Sequence, residues 1–202
     1  MSQVFDAWVR AARVLWAHLP SLIGLNVLVI LTALPVVTAG VGVLAGYWWT
    51  ARVARDEDGE GLSVYFLAAR RFFWRGVLVS LVAAAWLGLM YVNLLYWPRV
   101  LPELLSAIVI VTWLFASLTA LAALPVFLEQ FVVQERPARE ALLAAGLGIA
   151  LHPLWLYSHA VLALLLVFVA TRFHTLAALV LVGALLVLAA VSADGAPQRG
   201  KA

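Results

Sequence analysis

Residues 26–46 read NVLVILTALPVVTAGVGVLAG, a stretch without a charge and with a Pro-x-x-Thr-x-Gly break at its middle. An aromatic cluster follows (Tyr47, Trp48, Trp49), then Arg52 and Arg55, the acidic run DEDGEG at 56–61, and a basic aromatic segment. That order runs from lipid-embedded chain through a membrane interface to the cytoplasm. The apolar run from 22 to 49 is too long for one span of about 20 residues. Pro35 interrupts it, because the residue before a proline disfavours helical angles. Thr38 is a good N-cap, with Ala39 and Gly40 in the first turn of a new helix. The pattern predicts two short helices, 22–34 and 39–55, forming a broken hairpin over 22–55. Gly42 and Gly46 make a GxxxG pair that lets helix backbones approach closely.

The rest of the composition agrees. Of 202 residues, 66% are hydrophobic and 11% charged, against roughly 45–50% and about 25% in a soluble domain. No water-soluble fold of this length could cover so much apolar surface. The predicted fold class is all-α: one polytopic transmembrane bundle over 1–193, with about six spans plus interfacial amphipathic helices. A polar, disordered tail follows at 194–202. The net charge of +3 sits at span ends, where arginines meet anionic headgroups, so no nucleic-acid partner is expected. Cysteine is absent, which excludes disulfides, thiolate metal sites and a cysteine nucleophile. A cleaved signal peptide, with 22–37 as its apolar region, is the weaker reading because the chain stays apolar to Trp49.

Outside the hairpin, residues 3–18 place Gln3, Asp6, Arg10 and Arg13 on one arc. Phe5, Trp8, Ala12, Leu15 and Trp16 lie opposite, the pattern of a helix lying in the membrane surface and ended by Pro20. Residues 62–75 repeat it. Arg70, Arg71 and Arg75 share a side directed at lipid phosphates, and Tyr65, Phe66, Phe72 and Phe73 share the other. Spans are predicted at 76–97, 104–128, 153–170 and 175–193. The acidic run lacks EF-hand spacing and reads as a solvated connector. Ser80, Ala84 and Gly88 form a small-residue stripe on the first of these spans, the pattern of a helix-packing face. Residues 129–140, EQFVVQERPARE, are a second charged connector, and 138–150 a small-residue helix. The order span, proline, charged turn, short helix, span occurs twice, an echo of the pseudo-symmetric halves of transporters.

Charge orients the chain. With a cytoplasmic N-terminus, Arg10, Arg13, Arg52, Arg55, Arg70, Arg71, Arg75, Arg136, Arg139, Arg199 and Lys201 lie inside. Only Arg99 and Arg172 lie outside, a strong positive-inside bias. Counting 22–55 as a single span moves Arg10 and Arg13 outside and weakens the bias. The hairpin reading is therefore preferred, with both termini cytoplasmic and its thin first helix open to a re-entrant path.

Candidate functional or packing positions are few. Asn26 and Asn93 are amides within predicted spans, where such groups tie helices together or contact a substrate. His152 and His159 are seven residues apart and face the same way if helical. They are then about 10 Å apart along the axis, too far to share a metal. Glu103, Glu129 and Glu140 all sit at span ends, which disfavours a proton-coupled carrier. No HExxH, GxSxG or P-loop is present. No enzyme activity, catalytic residue, metal or cofactor is expected.

Asn26, the Pro35-Val36-Val37-Thr38-Ala39-Gly40 run, the acidic turn and the helix ending Arg70-Arg71-Phe72-Phe73-Trp74-Arg75-Gly76 together resemble the YesL-like family of small bacterial membrane proteins. The likeness is best over 20–76. Val41 departs from it, where many relatives have proline. The resemblance implies a multi-pass protein of the bacterial plasma membrane with no established biochemical activity and no catalytic residues to carry over. It also implies, by association, an accessory role in ABC-type carbohydrate uptake. The expected partners are membrane lipids and a permease complex or a second copy. The alternative is a small transporter or channel with a path through the bundle.

Overall fold

The computed structural model describes residues 2–55, 63–172 and 176–195, with side chains over 5–55, 63–168 and 181–193. The acidic run at 56–61, the centre of the expected outer turn at 173–174 and the tail from 196 lie outside the described residues. Every described element is helical: α1 (Ser2–Ala17), α2 (Leu19–Ala33), α3 (Ala39–Ala54), α4 (Ser63–Arg71), α5 (Phe73–Tyr91), α6 (Glu103–Leu128), α7 (Ala138–Leu151), α8 (Pro153–Arg172) and α9 (Leu176–Gly195). Two π turns, Val92–Tyr96 and Glu129–Val133, prolong α5 and α6, and 3-10 turns occupy Val36–Thr38 and Trp97–Arg99.

α3 is the axis. Twelve of its sixteen residues are buried, on all sides of the helix, and α2, α4, α5 and α9 pack around it. Its glycines set the separations. A methyl group on Gly40 would collide with the carbonyl of Gly76, and one on Gly76 would lie 2.5 Å from the Cα of Val41. Gly42 abuts Thr32 of α2, and Gly46 faces Val29 of α2 and Leu186 of α9. Small residues thus let three of these neighbours, α2, α5 and α9, come close to one short helix.

α5 and α6 behave differently. With their turns they run Phe73–Arg99 and Glu103–Val133, 27 and 31 residues, or about 40 and 46 Å at 1.5 Å per residue. Only 6% of each apolar window is buried. The two join at a tip where Ser106 Oγ donates to Pro98 O and Leu101 O. Along the pair, Trp86 meets Trp113 and Ser117 donates to Met90 Sδ. These are the two helices long and apolar enough to cross a membrane among the described residues. The count rises to four if each bent pair is one span: α1 with α2, bent 86°, and α7 with α8, bent 104°. Among the described residues α9 adds a shorter apolar stretch, Leu181–Ala193, and six spans are not confirmed.

The α2–α3 hairpin is short. Gly40 meets Gly76 and Ser80, within the first turns of α5. Arg99 lies another 19 residues along (99 minus 80), about 28 Å away in helical rise. The Pro35 turn therefore stops far below the α5–α6 tip. Pro20 does not end α1. The bend falls at His18, and Pro20 occupies the first turn of α2, where its missing N–H is no loss. α1 reaches the bundle through Ala11, leaving Phe5 and Trp16 outward.

α4 also differs from expectation. The helix stops at Arg71, so Phe73, Trp74 and Arg75 belong to α5. It packs on the bundle through Tyr65, Ala68 and Phe72, all buried, while Phe66 is exposed. The segment is aromatic on nearly every side, so periodicity cannot separate Tyr65 from Phe66. α4 is held by apolar burial against the protein on one face, with Phe66 and Leu67 exposed on another. Tyr65 Oη shares a 2.8 Å hydrogen bond with Thr32 Oγ1, and burial raises its phenol above the ordinary range despite that bond.

Candidate functional site

The charged groups gather where α3 ends and α6 enters the Glu129–Val133 π turn, with Arg75 reaching in from the first turn of α5. Glu129, the first residue of that turn, is buried. Its Oε1 accepts from Arg55 Nη2 at 2.7 Å and its Oε2 from Tyr47 Oη at 3.3 Å. Two residues on, Phe131 O accepts from Arg75 Nη1 at 3.3 Å, and the same guanidinium stands 5.3 Å from the Phe131 ring. Arg10 Nη2 donates to Ala54 O at 2.8 Å, placing a cation on the last turn of α3, where the helix dipole favours one. Arg71 pairs with Glu135, a residue at φ 52°, a left-handed conformation uncommon outside glycine.

Sequence reasoning placed Glu129 at a span end and missed this site. α6 continues helically past 128, so Glu129 is inside the junction. Its partners Arg55 and Tyr47 lie 74 and 82 residues away. The legible signal was a glutamate directly after an apolar run containing an internal proline, Pro125. What the cluster can do chemically is hold helices: a carboxylate bonded on one oxygen by a guanidinium and on the other by a phenol is a fastening. Arg75 is half-buried and is bonded to protein at Phe131 O. Arg71 is divided between Glu135 and the surface, and Arg70 stays exposed.

The other candidates fall into packing positions. Asn26 Oδ1 accepts the Gly183 N–H at 2.6 Å, tying α2 to α9. Asn93 Nδ2 donates to Leu89 O of its own helix and makes no such tie. Thr38 stands at the N-cap of α3 without capping it. Its hydroxyl donates to Thr32 O and Pro35 O, closing the Pro35 turn. The cap comes from across the bundle, where Ser80 Oγ accepts the Gly40 N–H at 2.7 Å.

His152 and His159 do not share a face. His152 is the hinge between α7 and α8, so helical phase is lost between them. His159 is buried with Nδ1 2.7 Å from Trp155 O, between the Trp155 and Trp8 rings. Its Nε2 and the Trp8 Nε1 are buried without hydrogen-bond partners. Among the described residues no three His, Asp or Glu side chains gather as metal ligands would. Comparison of the chain with family models, curated proteins and solved structures finds no match to any of them.

Proposed function

We propose that this chain is a non-catalytic multi-pass protein of the bacterial plasma membrane that docks laterally on a larger membrane complex through its α5–α6 hairpin. The observation that carries the reading is the contrast in burial. α3 is enclosed on all sides, while in two helices of 27 and 31 residues only 6% of each apolar window is buried. Lipid covers such a surface by default. A partner helix fits where side chains are small, at Ala84 and Gly88, the latter with open space around it. The centre is filled by Leu22, Leu25, Leu44 and Tyr47, which supports an accessory role over a transport path. The orientation we propose has both termini cytoplasmic and the 98–102 tip outside, with the α2–α3 hairpin re-entrant. Hairpin or re-entrant loop, the charge count is the same. A setting in ABC-type carbohydrate uptake rests on the YesL-like resemblance alone.

The test is site-specific photocrosslinking in cells at native expression. A photoreactive residue at Gly88 should capture a permease subunit, and one at Leu44 should capture nothing outside the chain. Recovery of lipid adducts alone at Gly88, Leu81 and Phe115 would remove the docking role.

A further inference from the structure

A groove opens beside the N-terminus of α3. It has a volume of about 370 Å³ and is lined by Thr32, Thr38, Val41, Ala69, Arg70 and Phe73, at the small end of the roughly 300–1,000 Å³ typical of ligand sites. Its walls are apolar for a specific reason. Thr38 Oγ1 donates to Thr32 O at 2.5 Å and to Pro35 O at 3.0 Å. Thr32 Oγ1 bonds the carbonyls of Leu28 and Val29 and the Tyr65 hydroxyl. Both threonine hydroxyls are engaged in the protein and leave carbon to the groove.

One cation stands in the lining. Of the three arginines in this segment, Arg71 pairs with Glu135 and Arg75 with Phe131 O. Arg70 is exposed and has no hydrogen bond or ion pair among the described residues. Around it Phe66, Phe73 and Trp74 are exposed, Trp74 by 79%, as aromatic side chains are at headgroup depth. Beyond the other wall, Leu34, Val36 and Val37 of the Pro35 turn are also exposed. An apolar slot with one guanidinium that has no ion pair among the described residues, bordered by interfacial aromatics, matches a molecule with a hydrocarbon chain and an anionic head. A soluble anion would leave the slot empty, and a neutral lipid would leave Arg70 unpaired.

We propose that this groove is a binding site for one anionic phospholipid, its phosphate on Arg70 and part of an acyl chain between α2, α3 and α4. The site rests on the membrane reading above and is independent of the docking role. It would act as a filler that joins the α2–α3 turn to the start of α5.

The experiment uses the full-length protein in a neutral detergent, with native mass spectrometry as the readout. Titration with phosphatidylglycerol should give one saturable adduct, and phosphatidylcholine a weaker one. Arg70→Gln should weaken phosphatidylglycerol binding about fivefold, the factor that roughly 1 kcal/mol per basic residue corresponds to. Ala69→Phe, which fills the slot, should weaken both lipids, and Arg71→Gln should change neither. Inorganic phosphate should not compete. Equal binding of the two lipids, an unchanged affinity in Arg70→Gln, or competition by phosphate would each overturn the site. Circular dichroism and gel filtration establish that each variant is folded. Carbonate extraction of membranes tests the membrane reading separately, so a carbonate-resistant protein without lipid selectivity defeats this proposal alone.

Discussion

α3 and α5 are built from similar residues and meet at one point, yet they live differently. Both are apolar and both carry small residues at four-residue spacing. On α3, Gly42 and Gly46 admit α2 and α9 into direct contact. On α5, Gly76 and Ser80 do the same for α3, but Ala84 and Gly88, further along the same stripe, face nothing. The difference lies in reach. α3 has sixteen residues, all within reach of its neighbours, whereas α5 runs on past the Pro35 turn, where α6 lies beside its outer half. A small-residue stripe thus marks where a backbone can come close, and the length of the neighbour decides whether one does.

The largest expected effect tests whether the packed centre and the long hairpin are joined at Glu129. Glu129→Leu removes the carboxylate from Arg55 and Tyr47. Breaking a buried pair costs about 3–5 kcal/mol. The Arg55 side chain keeps 26% exposure, so the lower end is expected, measured by denaturant unfolding in bicelles. Arg55→Met added to Glu129→Leu should recover most of it. A loss under about 1 kcal/mol, the level of an exposed pair, would mean that the two regions are held elsewhere.

Next comes Gly76→Ala. Backbone faces backbone here, so no side chain can swing away, and overpacking costs about 1–3 kcal/mol. Loss of the Ser80 cap on α3 should accompany it, read as faster amide exchange at Gly40. The smallest effect belongs to Gly88→Ala. With nothing nearby, stability of the isolated protein should hold within about 0.5 kcal/mol or rise slightly, since alanine favours helix. The same change in cells should weaken docking if a partner helix sits there. A clear loss of stability in the isolated protein would show that the outer half of α5 is already covered.

Part of this contrast is readable in the residues themselves. Pro35 in an uncharged run announces a break, and α2 and α3 end and begin at Ala33 and Ala39 around it. Asn26 in an apolar helix announces a tie, though not that Gly183 is the other end. What the sequence does not carry is phase around helices that are apolar on every side. Tyr65 and Phe66 are chemically alike, and only packing makes one buried and the other exposed. Glu129 is hidden for a related reason. A π turn lets the helix continue past the charge, and nothing at 129–133 distinguishes that from a helix that has stopped. The bend at His152 is legible from Pro153, yet its 104° angle comes from where α8 finds α6 and α9.

The hydrogen bond between Asn26 and Gly183 joins residues 157 apart in the chain. Synthesis at about 5–20 residues per second separates their emergence by roughly 8–30 s. During that interval α2 and α3 exist without α9, and the bond from Gly183 N–H to Asn26 Oδ1 is not yet made. The centre of the fold is thus the last part to be completed, though its first helices are made early. A nascent chain halted before residue 183 carries an open seam along Leu22, Asn26 and Gly46, the surface that an insertion factor or a quality-control protease would meet first.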